Sequence, residues 1–190
     1  MRTNPERRQA LLDASIEVLA AEGARGLTFR AVDKQAGVPA GTASNYFANR
    51  DDLLTQTGAR FYERIVPGAE AMTTLADGPR TRETVTVLMR EIVGRLEGDR
   101  SGYLALLELR LEATRRPELR EVLTRRVRED LEFNVRTHLE AGMPGDETSV
   151  ELLYLALNWL IVDRLTLPGV FDERRGEELI AAAVDRLIRP

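Results

Sequence analysis

The sequence contains no cysteine and only one histidine. Without cysteine the chain can form no disulfide, no thiolate nucleophile and no thiolate metal site. The histidine, His138, has Glu140 nearby but lacks the H-E-x-x-H spacing of a zinc hydrolase, and we expect it at the surface. These shortages argue against an enzyme, and we expect no metal and no organic cofactor.

Long apolar runs are also missing. No segment approaches the roughly 20 apolar residues of a membrane span, and the N-terminus lacks the uninterrupted apolar core of a signal peptide. We therefore expect a cytoplasmic protein with no membrane partner. The 190 residues are enough for one or two domains with a sizeable core.

No strand pattern is present, and apolar residues recur at helical spacing along the chain, which predicts an all-α fold. The net charge differs between the two parts of the chain. Residues 1–50 hold seven basic and five acidic side chains, a net +2, and because the whole chain carries -4, residues 51–190 carry -6. This division suits a basic DNA-contacting head on an acidic body, although a solvated surface would have the same composition.

Residues 28–47 have the pattern of two short helices joined by a tight turn. Thr28 can cap the first helix with its hydroxyl, and Gly37 can adopt the left-handed conformation that ends it. A second helix is predicted to begin at Pro39, because proline is tolerated at a first helical position. Such a pair can place its second helix in a major groove roughly 12 Å wide. Helix pairs of this kind are also common packing units, so the pattern alone leaves both interpretations open.

Short motifs follow one another from residue 23 to residue 54: G-x-x-G-L-T, A-G-V, G-T, Y-F, N with a basic residue, and L-L. The residues that carry them are Gly23, Gly26, Leu27, Thr28, Ala36, Gly37, Val38, Gly41, Thr42, Tyr46, Phe47, Asn49, Arg50, Leu53 and Leu54. In identity and order these motifs resemble the tetracycline-repressor (TetR) family of bacterial transcription regulators. The resemblance covers about the first third of the chain.

This resemblance implies an N-terminal three-helix DNA-binding domain, residues 1–50, with its helix-turn-helix at about residues 28–47. A connecting helix, Asp51 to Val66, would join it to a helical ligand-binding and dimerisation domain within residues 51–190. The implied function is transcriptional regulation, most often repression. The protein would bind an inverted-repeat operator in double-stranded DNA as a homodimer, and a small-molecule effector would release it.

The family's DNA contacts carry over by position. Thr28 would offer hydroxyl and backbone N–H groups to a phosphate, and Arg30 could reach guanine O6 and N7. Tyr46 and Arg50 would contact phosphates. The residues facing the groove would be Ala40, Gly41, Thr42, Ser44 and Asn45. Three positions depart from the serine, leucine and tyrosine commoner in the family, and they are Pro39, Ala43 and Ser44.

The second half of the chain reads as a series of helices, with residues 73–79 predicted to be a turn-rich linker. The helix from Glu151 to Leu167 is apolar over more than one face, which favours burial on two sides. The resemblance suggests that it pairs, together with the last helix after Asp172, with a second subunit. The interface residues would be Leu153, Leu157, Leu160, Leu179, Ala183 and Leu187. A role in the core alone stays open.

The pocket for an effector would be lined by the bulky or polar residues of otherwise aliphatic helices. These candidates are Met89, Tyr103, Phe133, Asn158 and Trp159, although residues of these kinds are more often part of a core than of a pocket. Since the inward faces carry few charges, we expect an apolar or weakly polar effector.

Two other functions compete with DNA binding. An all-α enzyme would need a cluster of catalytic groups that the sequence does not offer. A helical protein-interaction adaptor would use the broad apolar face of Leu152 to Leu165 on a foreign partner, without binding an operator.

Overall fold

A computed structural model describes residues 4–65 and 69–189, and every regular element in these ranges is helical. The α-helices are α1 Pro5–Gly26, α2 Phe29–Gln35, α3 Arg50–Arg64, α4 Ala69–Asp77, α5 Arg82–Gly98, α6 Arg100–Ala113, α7 Pro117–Glu140, α8 Glu147–Thr166 and α9 Glu173–Leu187. The all-α prediction is confirmed. No helix in the described ranges is long and apolar enough to cross a membrane.

The chain forms two compact units. The first comprises residues 1–66 and 99–127, and the second comprises residues 67–98 and 128–190. In the first unit α1 packs against α2, α3 and α6. Its side chains Leu11, Ile16 and Leu19 are fully buried, as their helical spacing predicts. The functional division at residue 50 stays a prediction.

In the second unit α5 packs against α4, α8 and α9, and α8 packs against α9. Ion pairs join these helices where they meet. Nη1 of Arg164 on α8 lies 2.9 Å from a Glu97 carboxylate oxygen on α5, and its Nη2 lies 3.6 Å from Glu177 on α9. Gly176 leaves room for this guanidinium, because a Cβ there would overlap it. Glycine at this position therefore allows α9 to pack closely on Arg164.

The predicted Thr28 cap is present, since its Oγ1 accepts from the Ala31 N–H at 3.1 Å. Two further helices are capped in the same way. Oδ1 of Asp172 accepts from the Arg175 N–H at 2.7 Å, and Oδ1 of Asn49 accepts from the Asp52 N–H at 2.9 Å. The predicted end of the connecting helix, at Val66, lies outside the described residues.

The predicted linker at residues 73–79 is wrong in its first part, since residues 73–77 belong to α4. Arg80 caps the C-terminus of this helix. Its guanidinium donates to the carbonyls of Leu75 at 2.8 Å and Ala76 at 2.7 Å, which lack helical partners at the C-terminus.

His138 is also placed differently from expectation. It is buried rather than exposed, and its Nε2–H donates to the Pro144 carbonyl at 2.9 Å. The ring therefore fastens the loop that follows α7, which is a structural role.

Alkaline pH should destabilise the first unit through Tyr103 on α6, whose ring packs edge-on against Phe61 with centroids 6.4 Å apart. Burial raises the pKa of this phenol from 10.0 to about 12. The unfolded chain therefore loses the proton first, so the stabilisation is complete below about pH 10 and disappears as pH rises through about 12. Over this pH range the melting temperature of Tyr103→Phe should fall less than that of the unmodified chain.

Thermal unfolding followed by circular dichroism measures this difference. Tyr46→Phe, at a half-buried tyrosine of the same unit, serves as the control and should keep the pH dependence of the unmodified chain. Identical pH dependence in Tyr103→Phe would contradict the assignment.

Candidate nucleic-acid interface

The segment from residue 39 to residue 46, called here the 39–46 turn, was predicted to be a second helix. It is instead a compact turn in which only Ala43–Asn45 is helical, as a short 3-10 segment. The reason is Gly41, whose φ of 91° lies in the left-handed region and interrupts any helix that begins at Pro39. The predicted helix is therefore corrected to a turn.

A buried carboxylate holds the 39–46 turn in place. Asp33 on α2 is 2% exposed, and its two oxygens accept from the backbone N–H groups of Gly41 and Ala43, each at 2.7 Å. These are charge-assisted hydrogen bonds, which are shorter and stronger than neutral ones. Sequence reasoning missed this role and counted Asp33 only as a charge. The signal in the sequence is that Asp33 directly follows Val32, an apolar residue on the inward face of α2, which favours a buried carboxylate.

The outward side of the turn presents small polar residues. Ala40, Gly41, Ser44 and Asn45 are exposed, and Thr42 is half-buried. The Thr42 hydroxyl donates to the Pro39 carbonyl at 2.6 Å. The Ser44 hydroxyl and the Asn45 amide both donate to the Gly41 carbonyl, at 2.8 and 3.0 Å. A base that accepts from the hydroxyl of Thr42 or Ser44 must therefore replace an internal acceptor, whereas the Asn45 amide keeps a second N–H for a base.

Other candidate contacts beside the turn have free polar groups. Arg30 and Lys34 on α2 are exposed, and neither has an acidic partner within the described part of the chain. Tyr46 is half-buried, and its hydroxyl has no protein partner in that part. Thr28 is exposed, but its hydroxyl oxygen caps α2. Two cations and one hydroxyl are thus available to a phosphate or a base.

Arg50 occupies a different environment from the one that the resemblance implied. Its Nε donates to the Leu27 carbonyl at 3.0 Å, and its Nη2 donates to the Ala24 carbonyl. The guanidinium is half-buried and joins the start of α3 to the end of α1. We therefore interpret Arg50 as a positioning residue.

The end of α1 is held from a second direction by α6. The helix is interrupted at Gly23, where φ is 68°, and the next N–H, of Ala24, donates to the Glu108 carboxylate at 3.0 Å. A side chain at Gly23 would sit 3.4 Å from that carboxylate in a strained backbone conformation. Glu108 and Arg50 together determine how the chain enters α2.

The predicted effector residues differ in their unit and their burial. Met89, Phe133 and Asn158 are half-buried in the second unit. Tyr103 is buried in the first unit, and Trp159 of the second unit is 67% exposed. Among the described residues no group of acidic or histidine side chains could hold a metal ion.

The predicted dimer residues of α8 lie in the core of their own chain. Leu153, Leu157 and Leu160 are at most 8% exposed, whereas Leu179, Ala183 and Leu187 of α9 are half-buried. The opposite face of α8 is exposed and apolar, and it is formed by Leu152, Leu155 and Trp159. We call these three residues the α8 strip. Because both faces of α8 are apolar, the sequence could not distinguish the inner face from the outer one.

Two family models match the chain. Residues 11–57 match the model described as bacterial regulatory proteins, tetR family, and residues 80–190 match the model described as tetracyclin repressor-like, C-terminal domain. The HTH-type transcriptional regulator BetI of Rhizobium meliloti (strain 1021) is 30% identical over 143 residues, which are 75% of this chain and 69% of BetI.

Solved structures are similar over nearly the whole chain. The multidrug binding protein EbrR, complexed with ethidium, is 30% identical with a TM-score of 0.72 and covers 98% of this chain and 100% of its own. A TetR-family member from Streptomyces coelicolor A3 is also 30% identical, with a TM-score of 0.73 and the same coverage.

Removing the Asp33 carboxylate should loosen the 39–46 turn. Asp33→Ala leaves two backbone N–H groups without acceptors, and each unsatisfied buried group costs about 1–3 kcal/mol. The melting temperature should fall, and amide hydrogen exchange at Gly41 and Ala43 should accelerate. Asp33→Asn should have an intermediate effect, because its amide oxygen can serve only one of the two donors.

Asp52→Ala is the matched control, because this carboxylate accepts from the Ala48 N–H at 2.9 Å outside the turn. It should leave exchange at Gly41 and Ala43 unchanged. Unaltered exchange in Asp33→Ala would show that the turn does not depend on this carboxylate.

Proposed function

This chain belongs to the TetR family of bacterial regulatory proteins, and on that premise we propose that it is a cytoplasmic repressor released from an operator by a small molecule. It is a transcriptional regulator with a DNA-binding domain, as the matching family models and relatives show. Repression, pairing of two copies and release by an effector are the proposed parts.

The observation that carries the proposal is the Asp33-held 39–46 turn with exposed side chains beside unpaired cations. Phosphate contacts position a protein on DNA, and contacts to base edges specify the sequence. We assign the positioning contacts to Tyr46 and Thr28, and the base contacts to Arg30 and Asn45. Ala40 and Thr42 can meet a thymine methyl group.

The second proposed part is a homodimer formed through the α8 strip and helix α9. Leu155 and Trp159 are 64% and 67% exposed, and Leu152 adds to the same apolar face. Adjacent large apolar side chains at a surface mark an interaction site. A second copy is the partner that we propose, because a two-fold dimer matches the two half-sites of an inverted repeat. An adaptor that uses the strip on a foreign protein is the competing function.

The third proposed part is an effector site in the second unit, which includes Met89, Phe133 and Asn158. Support comes from EbrR, which is similar over nearly the whole chain and is described as a multidrug binding protein complexed with ethidium. A ligand can shift DNA binding only if it prefers one conformation of the protein over another.

Selection of genomic fragments with the purified chain should return an inverted repeat. Tyr46→Phe should then weaken binding about tenfold or more across sequences, because it removes a hydrogen bond to a charged phosphate. Asn45→Ala should instead relax the base preference, as measured by competition between operator variants in gel shifts. Arg50→Ala should lower the melting temperature, since it removes the side-chain donors that reach the Ala24 and Leu27 carbonyls.

Arg125→Ala, at an exposed arginine of α7, is the matched control and should keep the affinity and its salt dependence. If no genomic fragment is bound, or if all variants bind like the unmodified chain, the DNA-binding proposal is refuted. Binding of a foreign protein through the α8 strip without DNA binding would favour the adaptor.

A charge within the α8 strip should separate the two copies. Leu155→Asp and Trp159→Asp change exposed positions, so the fold of each chain should persist while an unpaired buried carboxylate costs the interface several kcal/mol. Sedimentation at micromolar concentration should show dimers for the unmodified chain and monomers for both variants.

Leu111→Asp, at a residue of α6 that is 61% exposed, should remain dimeric. A monomeric unmodified chain, or dimers that survive both changes, would contradict this interface.

A further inference from the structure

A polar cluster lies among apolar side chains in the second unit, and we call it the Arg95 cluster. Its members are Arg95 on α5, Asp130 and Asn134 on α7, and Tyr154 and Asn158 on α8. The hydrogen bond from the Tyr154 hydroxyl to Asp130, 3.2 Å long, bridges α7 and α8. The cluster is therefore made of polar side chains from three helices.

Arg95 is the unsatisfied member of the cluster. Its Nε and Nη1 are shielded from solvent, with less than 1 Å² accessible each, and neither has a hydrogen-bond acceptor in the described part of the chain. Asp130 is close enough to act on it electrostatically, but no ion pair forms. A buried cationic donor without an acceptor is costly, and a ligand that brings an acceptor would remove that cost.

The hydrogen bonds that the structure gives to the other polar members of the cluster go elsewhere than to Arg95. Asp130 accepts from Tyr154, and burial raises the pKa of its carboxyl despite the hydrogen bonds from Tyr154 and Asn134. The amide of Asn134 donates to the Asp130 carbonyl at 2.7 Å, and that of Asn158 donates to the Tyr154 carbonyl at 2.8 Å. The group still needed is an acceptor for Arg95.

The surroundings of the cluster are apolar. Met89 and Ile92 precede Arg95 by six and three residues, which places all three on one side of α5. Phe133 follows Asp130 by three residues on α7, and all of these apolar side chains are half-buried. A molecule that brings an acceptor to Arg95 would therefore have an apolar body.

We propose that the effector is an organic acid with an apolar body, whose carboxylate accepts hydrogen bonds from the buried guanidinium of Arg95. A planar guanidinium matches a carboxylate with two parallel hydrogen bonds. This inference rests on the proposed effector site and names the chemistry of its ligand. It replaces the sequence-based expectation of an apolar or weakly polar effector, because that expectation assumed few charges on the inward faces.

The opposite chemistry is an organic cation held by Asp130. Ethidium, bound to the similar protein EbrR, is such a cation. In this chain the Asp130 carboxylate already has partners, whereas Nε and Nη1 of Arg95 have none among the described residues. The observations therefore favour the acid, and the experiment separates the two.

Matched probes test the charge requirement directly. Isothermal titration calorimetry of the full chain with decanoate, decanol and decyltrimethylammonium compares one apolar body with three head groups, and phenylacetate, phenethyl alcohol and phenethylamine form a second series. In at least one series the carboxylate should bind about ten- to a hundredfold more tightly than its alcohol, the range for losing a hydrogen bond to a charged group. Equal binding of acid and alcohol, preference for the cation in both series, or no carboxylate binding overturns the proposal.

Variants assign that preference to Arg95. Arg95→Met should abolish the selectivity for the carboxylate without lowering the melting temperature of the ligand-free chain, because it removes a buried unpaired cation. Arg95→Lys keeps the charge and should retain part of the selectivity. Arg90→Met is the matched control on the same helix, since Arg90 is 46% exposed and pairs with Glu177 at 2.8 Å. It should keep the selectivity for the carboxylate.

A fall in melting temperature with unchanged carboxylate selectivity in Arg95→Met would show that Arg95 is structural, and would overturn the proposal. Gel shifts with the selected operator, run in parallel without ligand, test the DNA-binding function separately. Operator binding without carboxylate binding refutes only the organic-acid effector. Carboxylate binding without any operator refutes the repressor while the ligand chemistry stands.

Discussion

The first unit depends on how the backbone leaves helix α1. At Gly23 the helix is interrupted, so backbone groups that follow it need partners from other parts of the chain. Two oppositely charged side chains supply them, because Glu108 accepts from Ala24 and Arg50 donates to the carbonyls of Ala24 and Leu27. Each contact is between a charge and a peptide group, and each comes from a different helix. The direction of α2, and with it the position of Asp33, follows from these contacts.

Local signals predicted most of the helices, because caps and apolar periodicity act within one or two turns. Thr28, Asn49 and Asp172 are caps of this kind, and each accepts the expected backbone N–H. The 39–46 turn could not be predicted in the same way. Its conformation depends on the positive φ of Gly41 and on a carboxylate eight residues earlier in the chain.

Side chains that act over long sequence separations were the least predictable. Arg50 was assigned to a phosphate because its position in the motif suggested it, yet its partners lie 23 and 26 residues earlier. The faces of α8 posed a different problem. Leu153 and Leu155 are equally apolar, and only packing against α5 and α9 decides that the first is buried and the second exposed. Arg95 was not predicted as a ligand contact, because the observation that marks it is a missing hydrogen-bond acceptor, which only a structure shows.

The exposed α8 strip has a consequence for how the amount of protein would control a promoter. If the strip pairs two copies, single chains predominate while the protein is scarce, and the dimer population then rises with the square of the total concentration. An operator read by the dimer would respond little to the first molecules synthesised and steeply to later ones. The hydrophobic area on one helix would thus set a threshold in gene dosage, which is separate from any effector.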